Sequence, residues 1–368
     1  MAREVILSLQ LKVCYGPEGF LELKDDWEAL YANLARPAVH HNWRWYHALA
    51  SHVLDEPLCF YCVYDRGLPV ALFIFQLRRR FLLGSYVSLE FPCNKKFTYL
   101  SDALIRPEYT DRGLLAEVIS VAGAEADRRW DVCRLKGFTG RSLLNHLIEV
   151  KVFSRPERNN SAYIRCADRN DLKRLSSKQM RNVRRLEKKL AGRNGDTELV
   201  IGTASEGDSA FREFLRIEDS GWKSSEGTSI MREGEHAVNF YAQLYHLFGE
   251  SGDSAILLLR AGGRNIAAGF ALRTGNCWSL FKIAYDERFA EFGPGNILLY
   301  LFIEQMVTDP EIDEVCLTTC PPWSTRWHME QDRLNDYIVF AESRAAHLVN
   351  FSMTLRETLA RTKRRLLQ

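Results

Sequence analysis

The sequence lacks a long apolar run: no stretch approaches the roughly 18–20 apolar residues that a membrane span needs. Its N-terminus has a short apolar patch, but Glu4, Gln10 and Lys12 interrupt it and no small-residue cleavage site follows. We therefore expect a first strand there and not a signal peptide. Neither sign of charge is in excess, since 49 Lys and Arg face 47 Asp and Glu, for a net charge of +2. These absences favour a cytoplasmic, globular protein.

The distribution of the cysteines also excludes some kinds of site. Nine are scattered along the chain, and several stand in strand-like apolar runs, as small core residues do: Cys59, Cys62, Cys133, Cys277 and Cys316. We expect no zinc site, no other metal, no disulfide framework and no tightly bound cofactor, which fits a reducing cytoplasm. At 368 residues, the chain is long enough for two domains or for two similar halves.

The second half has the clearest pattern of elements. Strand-like segments 255–261, 266–273 and 277–285 are joined by short turns rich in Gly and Asn, which favours an antiparallel meander. A helix that begins at the Gly-Pro-Gly of residues 293–295 and a strand over 314–319 follow. The predicted order is strand, strand, strand, helix, strand.

The first half repeats this order. Strands are predicted over 58–64, 69–77, 86–91 and 131–137, with a helix over 110–129 before the last strand. Because the order repeats without detectable sequence identity, a duplicated α/β (α+β) unit is the economical explanation. We expect domains at 1–165 and 166–345, each a mixed, mostly antiparallel sheet flanked by helices, and a basic amphipathic helix at 346–368.

The start of the helix after the third strand is the most informative local feature. Gly293, Pro294 and Gly295 open this helix, and Asn296 follows. Proline suits the first helical position because its missing N–H has no intrahelical partner, and glycine has no side chain to block a ligand. Unpaired N–H groups and the helix dipole both favour negative charge. The segment therefore predicts a phosphate-binding helix start.

Two segments are strongly basic. Residues 173–193 contain nine Lys and Arg against Glu187, a local net charge of +8, and leucines at helical spacing make them an amphipathic helix. Residues 353–368 are similar. Three interpretations stay open for these helices: a solvated face, a site for an anionic substrate, or docking on an anionic membrane.

Four motifs stand in a fixed order in the second half. In chain order they are Ser177, Arg181 and Arg184; Glu218, Gly221, Trp222 and Lys223; Phe240 and Tyr241; and Lys282, Tyr285 and Asp286 with Gly293, Pro294 and Gly295. Together they resemble the motifs of the FemAB-like acyltransferases, which have two GNAT domains and include the CelD-type proteins of cellulose biosynthesis. On this resemblance, the anionic substrate of the basic helices would be the CoA 3′-phosphate or a tRNA acceptor stem. This resemblance implies two tandem GNAT-like domains. It also implies that the pyrophosphate of an acyl-CoA lies at Gly293–Asn296 against a splayed strand.

Acyl transfer from a thioester needs an amine near the carbonyl, a base, and stabilisation of the oxyanion. Glu218 and Asp286 are our candidates for the base. Lys282 stands within an apolar strand, where a lone buried charge is costly, so it either reaches solvent or aims a cation at a substrate anion. The resemblance implies that Tyr285 can donate a proton to the leaving thiolate.

Five residues are candidates for binding the substrate. For each, the alternative is a purely structural position, in the core or on the surface. Trp222, Lys223 and Tyr241 accompany the motifs, while Trp323 and His328 stand in an aromatic and basic loop after the last strand. Here the chain departs from the family pattern, which often ends in a Tyr-Lys pair and a Trp. The resemblance therefore does not identify the acceptor.

The sequence thus predicts an N-acyltransferase that moves an acyl group from acyl-CoA to an amine of an envelope-related acceptor: an amino sugar, an amino acid, or a lipid amine such as a sphingoid base. A peripheral position on the inner face of the membrane is compatible with the basic tail. The alternatives are a Fem-type transferase that uses aminoacyl-tRNA, and a non-catalytic GNAT-like binding module in polysaccharide biosynthesis.

Overall fold

The computed structural model describes residues 9–82, 84–92, 97, 100–109, 130–147, 152–166, 171–221 and 226–366. The strands are β1 Leu9–Tyr15, β2 Leu58–Asp65, β3 Leu68–Phe81, β4 Ser85–Glu90, β5 Leu104–Ile105, β6 Val132–Thr139, β7 Val152–Arg165, β8 Thr197–Gly202, β9 Ser254–Ala261, β10 Arg264–Thr274, β11 Cys277–Tyr285, β12 Glu314–Cys316 and β13 Glu330–Phe340. The helix predicted over 110–129 lies outside the described residues.

The α-helices are α1 Gly16–Glu22, α2 Lys24–Ala32, α3 Trp43–His52, α4 Leu144–Leu147, α5 Ser177–Asn194, α6 Ser209–Glu218, α7 Ile230–Glu233, α8 Glu235–Gly249, α9 Pro294–Met306 and α10 Arg344–Leu366. Short 3₁₀ turns add Glu287–Phe292 and Pro322–Trp327. The structure is α/β with mostly antiparallel strand pairing, as predicted.

The chain forms two compact units that interleave along the sequence. The first comprises Met1–Ala35, Asp55–Arg158 and Leu334–Gln368, and the second Arg36–Leu54 and Asn159–Arg333. From the sequence we predicted consecutive domains at 1–165, 166–345 and 346–368, whereas these two units are each made of separate segments of the chain. Residues 36–54 carry α3 into the second unit, and the last strand and helix return to the first.

The first unit has the strand order β1-β2-β3-β4-β6-β13. Its pairs are antiparallel except β4 with β6, where Ser88 lies opposite Val132. Aromatic and aliphatic side chains of these strands form its core, including Phe73, Phe75 and Phe138. Cys59 and Cys62 are both buried on β2. Because residues three apart on a strand face opposite sides, their thiols do not share a site.

The second unit repeats the pairing scheme in the order β7-β12-β11-β10-β9-β8. β9, β10 and β11 pair antiparallel, and β11 pairs parallel with β12. The predicted order of strand, strand, strand, helix, strand is thus present here. β11 has an antiparallel neighbour, β10, on one side and a parallel neighbour, β12, on the other.

Helices cover both faces of the second unit's sheet. On one face, α5 and α9 pack through apolar side chains such as Val183 and Leu298 onto Leu257 and Leu280. On the other face, Phe214 of α6 and Tyr241 of α8 contact Phe270 at ring-centroid distances of 5.9 and 5.5 Å. We call these the α5/α9 face and the α6/α8 face.

Candidate active site

Among the described residues, the edge of β11 that faces β12 is unpaired over most of its length. The two strands pair only over residues 277–279 of β11. The strand predicted to reach Thr319 ends at Cys316, because Leu317 donates its N–H to the Ala162 carbonyl of β7 at 2.7 Å and Thr318 has φ +52°. A β-branched residue in that region marks a sharp departure of the backbone. The chain thus leaves β11, and residues 280–285 gain an edge that does not pair with β12.

A β-bulge in β11 determines which side chains reach each face. Phe270 lies opposite Lys282 and Ala271 opposite Leu280, so Phe281 is the extra residue. Leu280, Ile283 and Tyr285 consequently join the core of the α5/α9 face. Phe281 packs against Trp45 at 5.2 Å between centroids, towards the α6/α8 face. A bulge next to an open edge is a common way to re-aim side chains at a site.

The start of α9 lies beside this open edge. Gly293 adopts φ +61° and Pro294 is the first helical residue. A Cβ on Gly295 would lie 3.3 Å from Ile283 Cγ2 and 3.5 Å from Tyr285 Cδ1, so the helix start sits close to β11. The predicted helix start is confirmed, and the missing Cβ explains how closely it approaches the strand.

One backbone donor at this helix start is left for a ligand. The N–H groups of Asn296 and Ile297 both donate to the Gly293 carbonyl, at 3.0 and 3.2 Å, and proline has none. Within the described part of the chain, the Gly295 N–H therefore remains available. Together with the dipole of the 13-residue helix, it favours an anion at this point.

The Asn296 side chain connects the helix start to two neighbouring elements. Its Oδ1 accepts hydrogen bonds from Gln179 Nε2 of α5 at 3.4 Å and from Trp327 Nε1 at 3.2 Å. Trp327 is buried, and its carbonyl accepts the Ser176 N–H at the start of α5. Asn296 thus fixes the arrangement of α5, α9 and the 3₁₀ turn at Pro322–Trp327.

An open cleft lies on the other side of Gln179, which we call the basic cleft. Its volume is about 610 Å³, and its lining comprises Ser176, Lys178, Gln179, Arg181, Asn182, Arg185, Arg326 and His328. His328 takes φ +59° at the end of the 3₁₀ turn, so the loop histidine predicted from sequence faces this cleft. Trp323 instead packs partly buried against the core of the α5/α9 face.

Cations on and near α5 differ in whether they form hydrogen bonds or ion pairs. Arg184 Nε bonds to the Tyr300 hydroxyl at 2.7 Å, and Lys189 and Arg193 contact the Glu291 carboxylate at 2.6 and 3.2 Å. These bind α5 to α9 and to the turn before it. Lys178, Arg181 and Arg326, which line the basic cleft, have no ion pair within the described residues.

Glu218 is buried at the end of α6. Its Oε2 accepts the Ile230 N–H at 2.7 Å, which places the carboxylate at the start of α7. Burial raises the pKa of the neighbouring Tyr241 hydroxyl, and the Glu218 charge raises it further. The Lys282 ammonium lies 5.6 Å above the Tyr241 ring. The structure thus brings together Glu218, Tyr241 and Lys282 on the α6/α8 face.

Asp286 has a different environment. Its buried carboxylate accepts two hydrogen bonds from the Arg288 guanidinium, at 2.9 and 2.5 Å, and one from the Arg288 N–H at 3.1 Å. Arg264 lies 3.7 Å away. These hydrogen bonds, with Arg288 the main cause, lower the pKa of Asp286. A carboxylate held ionised in this way is a weak base, and it caps the turn that leads to Gly293.

Tyr285 is the last residue of β11 and lies next to Gly295. Its hydroxyl makes no hydrogen bond with another described residue. Burial, and then the Glu287 carboxylate, raise the pKa of Tyr285, so the phenol is protonated at neutral pH and can act as an acid. Gly221 lies nearby, since a Cβ there would be 3.3 Å from the Tyr285 carbonyl. Trp222 and Lys223 lie outside the described residues.

Residues 177–320 match the family described as an acetyltransferase (GNAT) domain. Residues 177–320 form a GNAT domain. The resemblance predicted from the sequence is therefore confirmed, and the residues matched include α5, the β9–β11 meander and α9. The open edge of β11 and the start of α9 belong to this GNAT domain.

Solved structures share the fold over most of the chain. FemX aligns with a TM-score of 0.58 and 11% identity, over 88% of this chain and 98% of that one. The C-terminal domain of a putative lysylphosphatidylglycerol synthetase from Agrobacterium fabrum gives 0.56 and 10%, over 90% and 95%. L-PGS from Bacillus licheniformis gives 0.54 and 12%, over 88% and 94%. No curated protein matches the sequence significantly.

Four residues that contribute to the site were not predicted from the sequence. Arg288 stands two residues after Asp286, a spacing that suits a turn cap, and this signal was present. Tyr300 and Glu304 stand four apart on α9, which places them on one helix face. Trp45 gave no signal, because its contact with Phe281 depends on residues 36–54 packing in the second unit.

Proposed function

We propose that this protein is an acyl-CoA-dependent N-acyltransferase. The observation that carries the proposal is the open edge of β11 next to the Gly295 N–H at the start of α9. The pantetheine arm of CoA contains two amides in an extended chain and suits an unpaired strand edge. A pyrophosphate suits a helix start with a free N–H. The thioester would then lie near the bulge, between the two faces of the sheet.

In this reaction the acceptor nitrogen attacks the thioester carbonyl, a C–N bond forms and the C–S bond breaks. Glu218 would take the proton of the attacking amine through a water molecule. Tyr285, protonated and next to the helix start, would give a proton to the leaving thiolate. Lys282 would hold an anionic group of the acceptor. Asp286 would be a positioning residue, because its hydrogen bonds with Arg288 hold the turn that leads to Gly293.

The acceptor we propose is an amine on an envelope-related molecule: an amino sugar, an amino acid or a lipid amine such as a sphingoid base. One protein that shares the fold is described as a putative lysylphosphatidylglycerol synthetase, a name that refers to a lipid. That naming favours the lipid amine within this group. At 10–12% identity the solved structures compared above share only the fold with this chain. The acceptor is therefore our proposal and is not inferred from their activity.

The C-terminal helix supports a lipid acceptor. On α10, four large apolar side chains are exposed: Leu348, Phe351, Leu355 and Leu359, at 50%, 66%, 48% and 60%. Their spacing places them along one helix face, and the segment carries Arg and Lys near its end. No helix among the described residues is long and apolar enough to cross a membrane. We propose that α10 rests on an anionic membrane surface from the cytoplasmic side.

Fem-type transfer from aminoacyl-tRNA is the second candidate, and the fold shared with FemX together with the unpaired cations of α5 favours it. A binding module without chemistry is the third. The test is thiol release from acyl-CoA by the purified protein, screened over acyl-chain lengths with amine acceptors. Release that depends on an amine supports acyl-CoA. Transfer from aminoacyl-tRNA without release from any CoA would replace our proposal, and no transfer from either donor would favour the binding module.

A further inference from the structure

The basic cleft has a charge that the proposed chemistry at β11 does not use. Lys178 and Arg181 of α5 and Arg326 of the 3₁₀ turn converge on it from two elements. Other cations of α5 are neutralised by Glu291 and Glu304. A cleft lined by charges of one sign focuses the electric field and raises the local concentration of ligands of the opposite charge.

The basic cleft lies next to the start of α9, where we propose that the acyl-CoA donor binds. Gln179 lines the cleft and also bonds to Asn296, whose neighbour Gly295 has the available N–H. Polar donors thus continue from the start of α9 to the cleft along the α5/α9 face. Glu218 and Lys282, the groups proposed to serve the acceptor, lie towards the α6/α8 face. A ligand whose pyrophosphate lies at Gly295 would therefore have its next phosphate within the cleft.

We propose that the basic cleft binds a phosphate monoester of the donor, namely the 3′-phosphate of CoA. The assignment rests on the proposed acyl-CoA function. A monoester carries close to two negative charges at neutral pH, and guanidinium groups bind its oxygens in a bidentate manner. A volume of about 610 Å³ accommodates a phosphorylated ribose, since small-molecule sites span roughly 300–1,000 Å³.

Two arginine variants test the proposal, with a third as a matched control. R181Q and R326Q each remove one cation from the cleft, while R212Q removes an exposed cation from α6. Exposed Arg-to-Gln changes are expected to leave the fold intact. For the wild type and R212Q, we expect kcat/KM for acyl-CoA to exceed that for acyl-3′-dephospho-CoA by about 10- to 100-fold. In R181Q and R326Q this preference should fall to a few-fold or less.

A binding measurement separates this proposal from the catalytic one. Titration calorimetry with adenosine 3′,5′-bisphosphate should show binding that R181Q and R326Q weaken about tenfold and R212Q does not. If that pattern appears while no CoA thioester releases thiol, the cleft assignment stands and the proposed reaction is wrong. If the wild type uses both donors equally and the bisphosphate binds all variants alike, the cleft assignment is wrong. Binding of tRNA, but not of the bisphosphate, through Arg181 and Arg326 would also overturn it.

Discussion

At the scale of single residues, the two candidate carboxylates differ in what holds them. Asp286 is paired with Arg288 and capped by a backbone N–H, which favours its ionised form. Glu218 is buried and accepts the Ile230 N–H, with Tyr241 and Lys282 nearby. Because Arg288 holds the pKa of Asp286 low, Asp286 is the weaker candidate for the base, and we keep Glu218 in that role. Both are predicted from sequence, but only their contacts distinguish them.

Replacing Glu218 by Gln tests this assignment. Glutamine keeps an oxygen that can accept the Ile230 N–H but cannot take a proton, so kcat/KM for amine-dependent thiol release should fall by about 10²–10⁴. The melting temperature should change little. An unchanged rate in E218Q with a normal circular dichroism spectrum would exclude Glu218 as the base.

Asp286 gives a prediction about stability and pH. Because its pKa is lowered below 3.8 in the folded state, its contribution is present above the unfolded pKa and is lost as the pH falls through the folded pKa. D286N should cost about 1–2 kcal/mol near pH 7. As the pH falls below about 4, the variant should lose less stability than the wild type. Urea unfolding at several pH values measures the free energy of unfolding of both proteins. If this free energy falls equally with pH in the wild type and in D286N, the prediction is wrong.

At the scale of elements, the site depends on how α9 meets β11. The sequence predicted the helix start and the order of strands, since Gly-Pro-Gly and two Gly-Asn turns are local signals. It did not predict the bulge at Phe281 or the end of β12 at Cys316. Both depend on partners distant in sequence, Phe270 in one case and Ala162 in the other. The open edge was therefore implied only by the family resemblance.

The close approach of α9 to β11 is testable at Gly295. In G295A the new methyl would lie 3.3 Å from Ile283 Cγ2 and 3.5 Å from Tyr285 Cδ1, so these side chains or the helix start must move by a few tenths of an ångström, at the point where the proposed donor binds. We expect the KM for acyl-CoA to rise about tenfold, since a shift of 1 Å can cost up to about 10²-fold in rate. G192A is the matched control, because its Cβ meets nothing within 4 Å. An equal KM in both variants would contradict the role of Gly295.

At the scale of the whole molecule, the two units share a pairing scheme but differ in what they expose. The second unit carries the GNAT domain, the open edge and the basic cleft. The first unit carries α10, whose inner side packs through Val349 and Met353 onto Tyr86 and Val132. Its outer row of large apolar side chains stays exposed to water, which is less favourable than burial. A contact with lipid gives this row a reason to be exposed.

Vesicle binding tests that contact with the full chain. L355S/L359S removes two exposed leucines from the row, while L21S removes one leucine that is 74% exposed on α1. Burying a leucine is worth about 1.5–3 kcal/mol, so the double variant should bind phosphatidylglycerol vesicles at least about tenfold more weakly in sedimentation. The wild type and L21S should bind alike, more weakly in high salt and to phosphatidylcholine. If L355S/L359S binds anionic vesicles as the wild type does, α10 is not the lipid-binding surface, and a lipid acceptor loses its structural support.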